Sequence, residues 1–301
     1  MDDYRKFKLG VGAIAWTNPG IPQFEDTYTS EQIIADMSKI GYEGTEMNRK
    51  FPSEPKELHA LLGHYQMRIS SQYKAVVFSD PSYTELELNS FKKHADFLHM
   101  MGCQHAIVCE MGGSAHWDPR HENAGRITPL TEEEWSVLIS NLHQAGEYCR
   151  QLGMKLLYHY HAGTVIEQRN DIDLLMERTN PELVSLLFDT GHAYFGNYEP
   201  IELLQAHITR IDYIHLKDVR KHVLAEVKNQ GWDFKQGVVQ GMFTVPGDGD
   251  IDFIPIFTML LESAFQSWII VEAEQNPTAA NPYEYGKKAK LYIDRVVSDL
   301  V

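Results

Sequence analysis

Long apolar runs are missing from this chain. No stretch approaches the ~18 residues needed to cross a bilayer, and the mixed-charge start Met1-Asp2-Asp3-Tyr4-Arg5-Lys6 leads into no apolar signal core. No membrane partner and a cytoplasmic location are the expectations. Cysteine is scarce as well. Cys103, Cys109 and Cys149 are odd in number and lack paired spacing, which excludes a disulfide framework and a cysteine zinc cluster and points to a reducing compartment. Cys109 lies in an apolar run and reads as a core thiol. Positive charge is in deficit: 27 Lys and Arg stand against 42 Asp and Glu, a net charge of −15. Gripping phosphodiester backbones takes a basic surface, so nucleic acid is not an expected partner. An uncharged sugar is indifferent to an acidic field, and a metal cation is favoured by it. A dinucleotide turn is also absent, because Gly10-x-Gly12 lacks its third glycine.

What is present is a repeat of short β-branched runs followed by amphipathic stretches. The runs are Lys8–Ile14, Gly44–Met47, Arg68–Tyr73, Ala106–Glu110, Lys155–His159, Leu183–Asp189, Ile211–His215 and Trp268–Glu272. Helical spacing follows from Thr29 to Gly41, Pro55 to Leu62, Thr84 to Met101, Thr131 to Leu152, Asp171 to Arg178, Pro200 to His207, Phe253 to Glu262, and from Pro282 onward. Thr29/Gln32 and Thr131/Glu134 match capping boxes, and Gly41 matches a helix stop. About eight strands alternating with helices predict a parallel sheet covered by helices, here a (β/α)8 TIM barrel of α/β class. The expectation is one domain over residues 1–301, with lid-like insertions near 111–130 and 219–250.

Six of these runs end in a polar residue: Glu46, Glu110, His159, Asp189, His215 and Glu272. In a barrel the strand C-termini converge on the catalytic face. Two histidines and several carboxylates there are the inventory of a divalent-metal site. Asp189, in Phe188-Asp189-Thr190-Gly191-His192, either caps the following helix or holds a cation. The cost of desolvating an unpaired carboxylate favours the cation. His215 and Glu272 stand at equivalent strand ends and read as ligands beside it, and Glu274 shares the face of Glu272 two residues on. His159 and His161 share one face of their strand, and the spacing alone leaves open which of them meets a metal and which a substrate.

These residues resemble the sugar isomerase and epimerase (xylose isomerase-like) barrel superfamily, whose last four strands typically carry a Glu–Asp–His–Glu metal site. Within it the chain is similar to the myo-inosose-2 dehydratases of inositol catabolism. That likeness is carried by Trp16-Thr17-Asn18, His159-Tyr160-His161-Ala162-Gly163-Thr164, Phe188-Asp189-Thr190-Gly191-His192-Ala193, His215-Leu216-Lys217-Asp218-Val219, Val245-Pro246-Gly247-Asp248-Gly249 and Val271-Glu272-Ala273-Glu274-Gln275. The resemblance implies a hydro-lyase that dehydrates 2-keto-myo-inositol (scyllo-inosose) to a trihydroxycyclohexane-1,2-dione. It also implies one divalent cation per chain, Mn2+ or Co2+, with glutathione as an accessory.

Asp189, His215 and Glu272 match the second to fourth ligands. The first position departs from the pattern: His159 stands where Glu is usual, with His161 and Glu167 as alternatives. Acid–base candidates are His161, His192, Lys217 and Glu110. Trp16 and Trp117 are candidates to stack on the ring, and Asn18, Glu46 and Glu274 to bind its hydroxyls. A ketose isomerase or epimerase is the leading rival, although an epimerase needs two opposed bases and His159 replaces one of the usual glutamates. A phosphodiesterase is disfavoured by the net charge, and a non-catalytic sugar sensor needs neither the ligands nor the titratable lumen. Barrels of this group often pair, so a homo-oligomer is an expectation for which no segment supplies an interface.

Overall fold

The structure is a computed structural model that describes residues 6–18, 20, 21, 24, 27–116, 118 and 125–301. Strands β1 (Lys8–Val11), β2 (Gly44–Thr45), β3 (Arg68–Ile69), β4 (Tyr73–Val76), β5 (His105–Glu110), β6 (Lys155–His159), β7 (Val184–Asp189), β8 (Ile211–Leu216) and β11 (Trp268–Val271) form one parallel sheet. β9 (Asp218–Val219) and β10 (Phe243–Thr244) make a separate antiparallel pair. The helices are α1 (Ser30–Ile40), α2 (Pro55–His64), α3 (Thr84–Met100), α4 (Glu132–Gln151), α5 (Arg169–Arg178), α6 (Thr190–Phe195), α7 (Pro200–His207), α8 (Lys221–Gln230), α9 (Phe234–Val239), α10 (Ile254–Glu262) and α11 (Pro282–Leu300). Among the described residues no helix is long and apolar enough to cross a membrane.

The sheet order β3-β2-β1-β11-β8-β7-β6-β5-β4 closes on itself through the chain. β3 pairs with β2 and β4 with β5, and the two segments are joined by Ser70–Gln72. The single strand expected over Arg68–Tyr73 is therefore broken in the middle. The Ser70 hydroxyl donates to Thr45 O and the Ser71 hydroxyl to His105 O, so each serine reaches a different neighbouring strand. Counting this broken pair once gives the eight-stranded barrel.

Local chemistry explains the helix boundaries. Thr29 and Thr131 both form complete capping boxes, with Gln32 and Glu134. Gly41 ends α1 in the left-handed conformation (φ 99°), which glycine adopts without penalty. The helices and the outer strand faces share one large core, while Ile107, Leu157, Leu187, Tyr213, Trp268 and Ile270 fill the barrel interior. All three cysteines are free and buried, and burial pushes the Cys109 thiol up to about 12, as suits a core thiol.

Side chains alternate faces along a strand, so this interior layer sets what stands above it. Leu157 is followed on the same face by His159, Leu187 by Asp189, Tyr213 by His215 and Lys217, and Ile270 by Glu272 and Glu274. The expected insertion 219–250 is itself structured. It runs through α8 and α9 and is tied to the barrel at β9–β10. Asp218 anchors its base, its carboxylate accepting from the backbone N–H groups of Val219, Gly247, Gly249 and Ile251.

Candidate active site

At the C-terminal mouth of the barrel, neighbouring strands bring His159, Asp189 and His215 into one group and Glu46, His215 and Glu272 into another, sharing His215. His215 Nδ1 lies 3.6 Å from Asp189 Oδ2 and 3.4 Å from Glu272 Oε2, and His159 Nε2 lies 3.8 Å from Asp189 Oδ2. Donors around a cation at ~2.1 Å sit about 3.0–3.4 Å from one another in octahedral to tetrahedral geometry, so these three separations lie at the upper end of that range or slightly above it.

The ring hydrogen bonds suit this orientation. His159 Nδ1 is 2.6 Å from Tyr160 O, so Nδ1 carries the proton and Nε2 presents a lone pair. His215 Nε2 is 2.8 Å from Glu46 Oε1, which frees Nδ1 to face the two carboxylates. A carboxylate behind a ligating histidine is the usual outer support of a metal site.

Asp189 Oδ2 and His215 Nδ1 are buried and have no hydrogen-bond partner. A buried polar atom without a partner is costly, and two facing each other are an observation in favour of a shared cation. Asp189 caps α6, its Oδ1 accepting from His192 N at 2.8 Å, and its Oδ2 is left facing the cluster.

Charge agrees with the geometry. Three carboxylates, Asp189, Glu272 and Glu274, surround one lysine, and Glu46 faces His215. Lys217 Nζ is 2.9 Å from Glu272 Oε2 and 2.9 Å from Glu274 Oε1. Burial opposes its charge, but Asp189, Glu272 and Glu274 outweigh burial and raise its pKa. Burial likewise favours neutral His215, yet Glu46, Glu272 and Asp189 hold it well above the ordinary value. Burial would raise Asp189 and Glu272, and the neighbouring Lys217 and His215 hold both low instead. The acidic excess left around Lys217 is what a divalent ion would balance.

A second group lies alongside. His161, His192 and Glu274 bring one donor atom each within 4.8 Å of one another. The two imidazoles lie 3.8 Å apart between centroids, tilted by 42°, and Lys217 Nζ is 3.1 Å from His192 Nε2. Burial, and then neighbouring positive groups, push both histidines well below their ordinary value, so both are neutral bases near neutrality. Burial raises Glu274. A cavity of about 310 Å3 opens onto His159, His161, His215, Glu272 and Glu274, within the usual range for small-molecule sites.

Three expectations change. Trp16 does not reach the cavity: it is fully buried, its indole N–H donates to Asp36 Oδ2 at 3.0 Å, and its ring lies against α11 near Gly286. Burying so large an apolar ring in the core outweighs presenting it at the mouth. Glu110 is spent on backbone: its carboxylate accepts from Phe78 N, Ser79 N and Gly112 N and from the Ser79 hydroxyl. Glu167 turns to its own loop, accepting from Gly163 N and from the Gln168 amide. Asn18 is nearly buried, with its side-chain oxygen on Gly20 N and its amide NH2 unpaired. Trp117 lies outside the described residues. Asn48, Arg49, Gln72 and Tyr73 also line the cavity; they follow the ends of β2 and β3, the only signal that could have found them.

A family model described as xylose isomerase-like TIM barrel matches residues 34–292. The inosose dehydratase of Geobacillus kaustophilus is 52% identical over 296 residues, covering 98% of this chain and 96% of that protein. The inosose dehydratase of Clostridium tetani is 41% identical, with 96% of each chain covered. Among solved structures, the IOLI protein with a bound zinc atom superposes with a TM-score of 0.67 at 18% identity, covering 98% of each chain. A probable 3-DHS dehydratase from Bacillus anthracis gives 0.71 at 12%, covering 96% of this chain and 99% of that one. These two show likeness of fold. The chain belongs to the xylose isomerase-like TIM-barrel family, on its inosose dehydratase branch.

Proposed function

We propose that this enzyme removes water from 2-keto-myo-inositol, giving a trihydroxycyclohexane-1,2-dione. In this reading one divalent cation, Mn2+ or Co2+, is held by His159 Nε2, Asp189 Oδ2, His215 Nδ1 and Glu272 Oε2. The observation that carries it is the pair of buried atoms without a hydrogen bond, Asp189 Oδ2 and His215 Nδ1, 3.6 Å apart within the cluster. When bound, such a cation supplies the Lewis acidity that makes a hydrogen beside a ketone removable.

The chain's own groups do the rest. His161 lines the cavity, and its Nδ1 is 2.8 Å from Ala162 O, so its Nε2 lone pair is available to take the α-proton. Lys217, kept charged by Asp189 and Glu272, stabilises the negative charge of the enediolate. Glu274, raised by burial, gives a proton to the departing β-hydroxyl, which leaves as water. His192, between His161 and Lys217, lets protons redistribute so that His161 and Glu274 regain their starting states. The resulting enol becomes the dione. Glu46 acts through His215, and Glu110 takes no part. The buried free thiols support a reducing compartment, the cytoplasm.

The test is to incubate purified protein with scyllo-inosose and Mn2+ or Co2+, with and without glutathione, and to follow the absorbance of the dione. Dione formation abolished by chelation supports the reading. A rearranged ketose with no dione would favour an epimerase, and no reaction with tight binding would favour a sensor.

A further inference from the structure

His192 sits near the rim of the barrel yet is 1% exposed, and one of the side chains covering it comes from the insertion between β9 and β10. Phe234 opens α9, which is fixed by a complete Asp233/Gln236 capping box. Its ring lies 5.2 Å from His161, 5.9 Å and nearly parallel to His192, and 5.0 Å edge-on to His116. His116 arrives from the other expected lid, after β5. Its Nε2 is 2.5 Å from Ala162 O, and next to it Ala115 N donates to Gly163 O at 2.8 Å. Both insertions thus meet over the 160–164 loop, with Phe234 as the apolar piece between them.

The base of the insertion is tied down: besides the Asp218 anchor, Arg220 reaches Gly241 O, Thr244 Oγ1 and Asp248 Oδ2. Phe234 and His116 do not line the substrate cavity.

Resting on the dehydratase reading, we propose that Phe234 is a positioning residue. Its ring seals the His161–His192 pair from bulk water, so that a proton taken from substrate stays within the pair while the enediolate lives. An apolar ring over polar groups keeps out the waters that a polar gap of that size would admit.

Two measurements test this, each on Phe234→Ala with Phe234→Leu as the conservative control. In the metal-free protein, diethyl pyrocarbonate modification is mapped by peptide mass spectrometry. His192 should be protected in the wild type and in Phe234→Leu, and modified at least about tenfold faster in Phe234→Ala. In the metal-loaded enzyme in D2O, the ratio of deuterium in recovered inosose to dione formed should rise in Phe234→Ala. Its kcat should fall about tenfold with KM little changed, and Phe234→Leu should restore both. Equal modification of His192 in wild type and Phe234→Ala overturns the proposal, and so does a lower kcat with an unchanged deuterium ratio. If the wild type makes no dione, the dehydratase reading fails, and the protection of His192 still decides whether Phe234 is a seal.

Discussion

Replacing Glu46 with Gln keeps the shape of the side chain and removes its charge, and two opposing consequences follow from its 2.8 Å contact with His215 Nε2. The carboxylate makes the imidazole a better donor at Nδ1 and fixes its ring. Losing such an outer partner weakens metal binding by about 10–100-fold, or roughly 1.4–2.7 kcal/mol. In the metal-free protein, however, Glu46 is also the largest of the carboxylate influences that overcome burial and hold His215 protonated above its ordinary value. A cation must displace that proton, so below the folded pKa of His215 its affinity falls about tenfold for each unit of pH. Glu46→Gln lowers that pKa and eases the competition. The two effects separate with pH. At the alkaline end only the lost support remains and the variant should bind Mn2+ about 10–100-fold more weakly; as pH falls the gap should narrow. Isothermal titration of the metal-free proteins with Mn2+ across neutral to alkaline pH reads both. Equal affinities at alkaline pH, or a gap that widens as pH falls, would refute the reasoning.

Asp189→Asn keeps an oxygen to cap α6, since Asn caps as well as Asp, so thermal stability should hold while bound metal, measured by mass spectrometry, and turnover are both lost; full metal content would remove Asp189 from the site. Gly191→Ala would put a Cβ 2.7–2.8 Å from the Cβ, Cγ and Cδ atoms of Lys217, so kcat should fall about 100-fold with metal retained; unchanged turnover would mean that Lys217 need not sit where it does. Trp16→Phe should leave KM unchanged and lower stability by about 1–2 kcal/mol through the lost bond to Asp36 and lost volume, whereas a raised KM would return Trp16 to the substrate. His94 is half-buried with its Nε2 shut away from solvent, and that burial pushes it down to about 4, so between about pH 6.5 and 4 the unfolded chain binds the extra proton and stability drops by at most about 1.4 kcal/mol per unit as pH falls. Urea midpoints of His94→Gln should fall less steeply there than those of wild type; parallel slopes would refute the assignment.

The repeat of runs and amphipathic stretches was enough to read a barrel, because strand burial and helix capping are local properties. Strand ends were legible too, but the face a strand-end residue takes depends on register with the interior layer. Ile107 belongs to that layer and Cys109 follows it on the same face, which puts Glu110 on the other face. Counting by twos from a known interior residue would have set Glu110 apart from His159, Asp189 and His215. Trp16 could not be placed from its neighbours in sequence, because its partners, Asp36 and the region of Gly286, come from α1 and α11. The support of His215 by Glu46, 169 residues away in the chain, and the cover from Phe234 arise only when the barrel closes and the insertion folds over its mouth.

The division of labour within Asp189 explains why fold and site are hard to separate here. One oxygen satisfies an N–H at the start of α6, and the other makes no hydrogen bond but faces three imidazoles and a lysine at 3.6–3.9 Å. The cap orients the carboxylate, and that orientation is what leaves Oδ2 exposed to the cluster. The backbone turn that needs the cap also brings His192 against Lys217, through Gly191, where any side chain would collide with the lysine. A single strand-to-helix turn therefore sets a candidate metal ligand, the charge beside it and a proton-transfer partner together. A change at residues 189–192 should accordingly disturb metal binding and proton transfer jointly unless it preserves the cap, as Asp189→Asn does, or spares the carboxylate, as Gly191→Ala does.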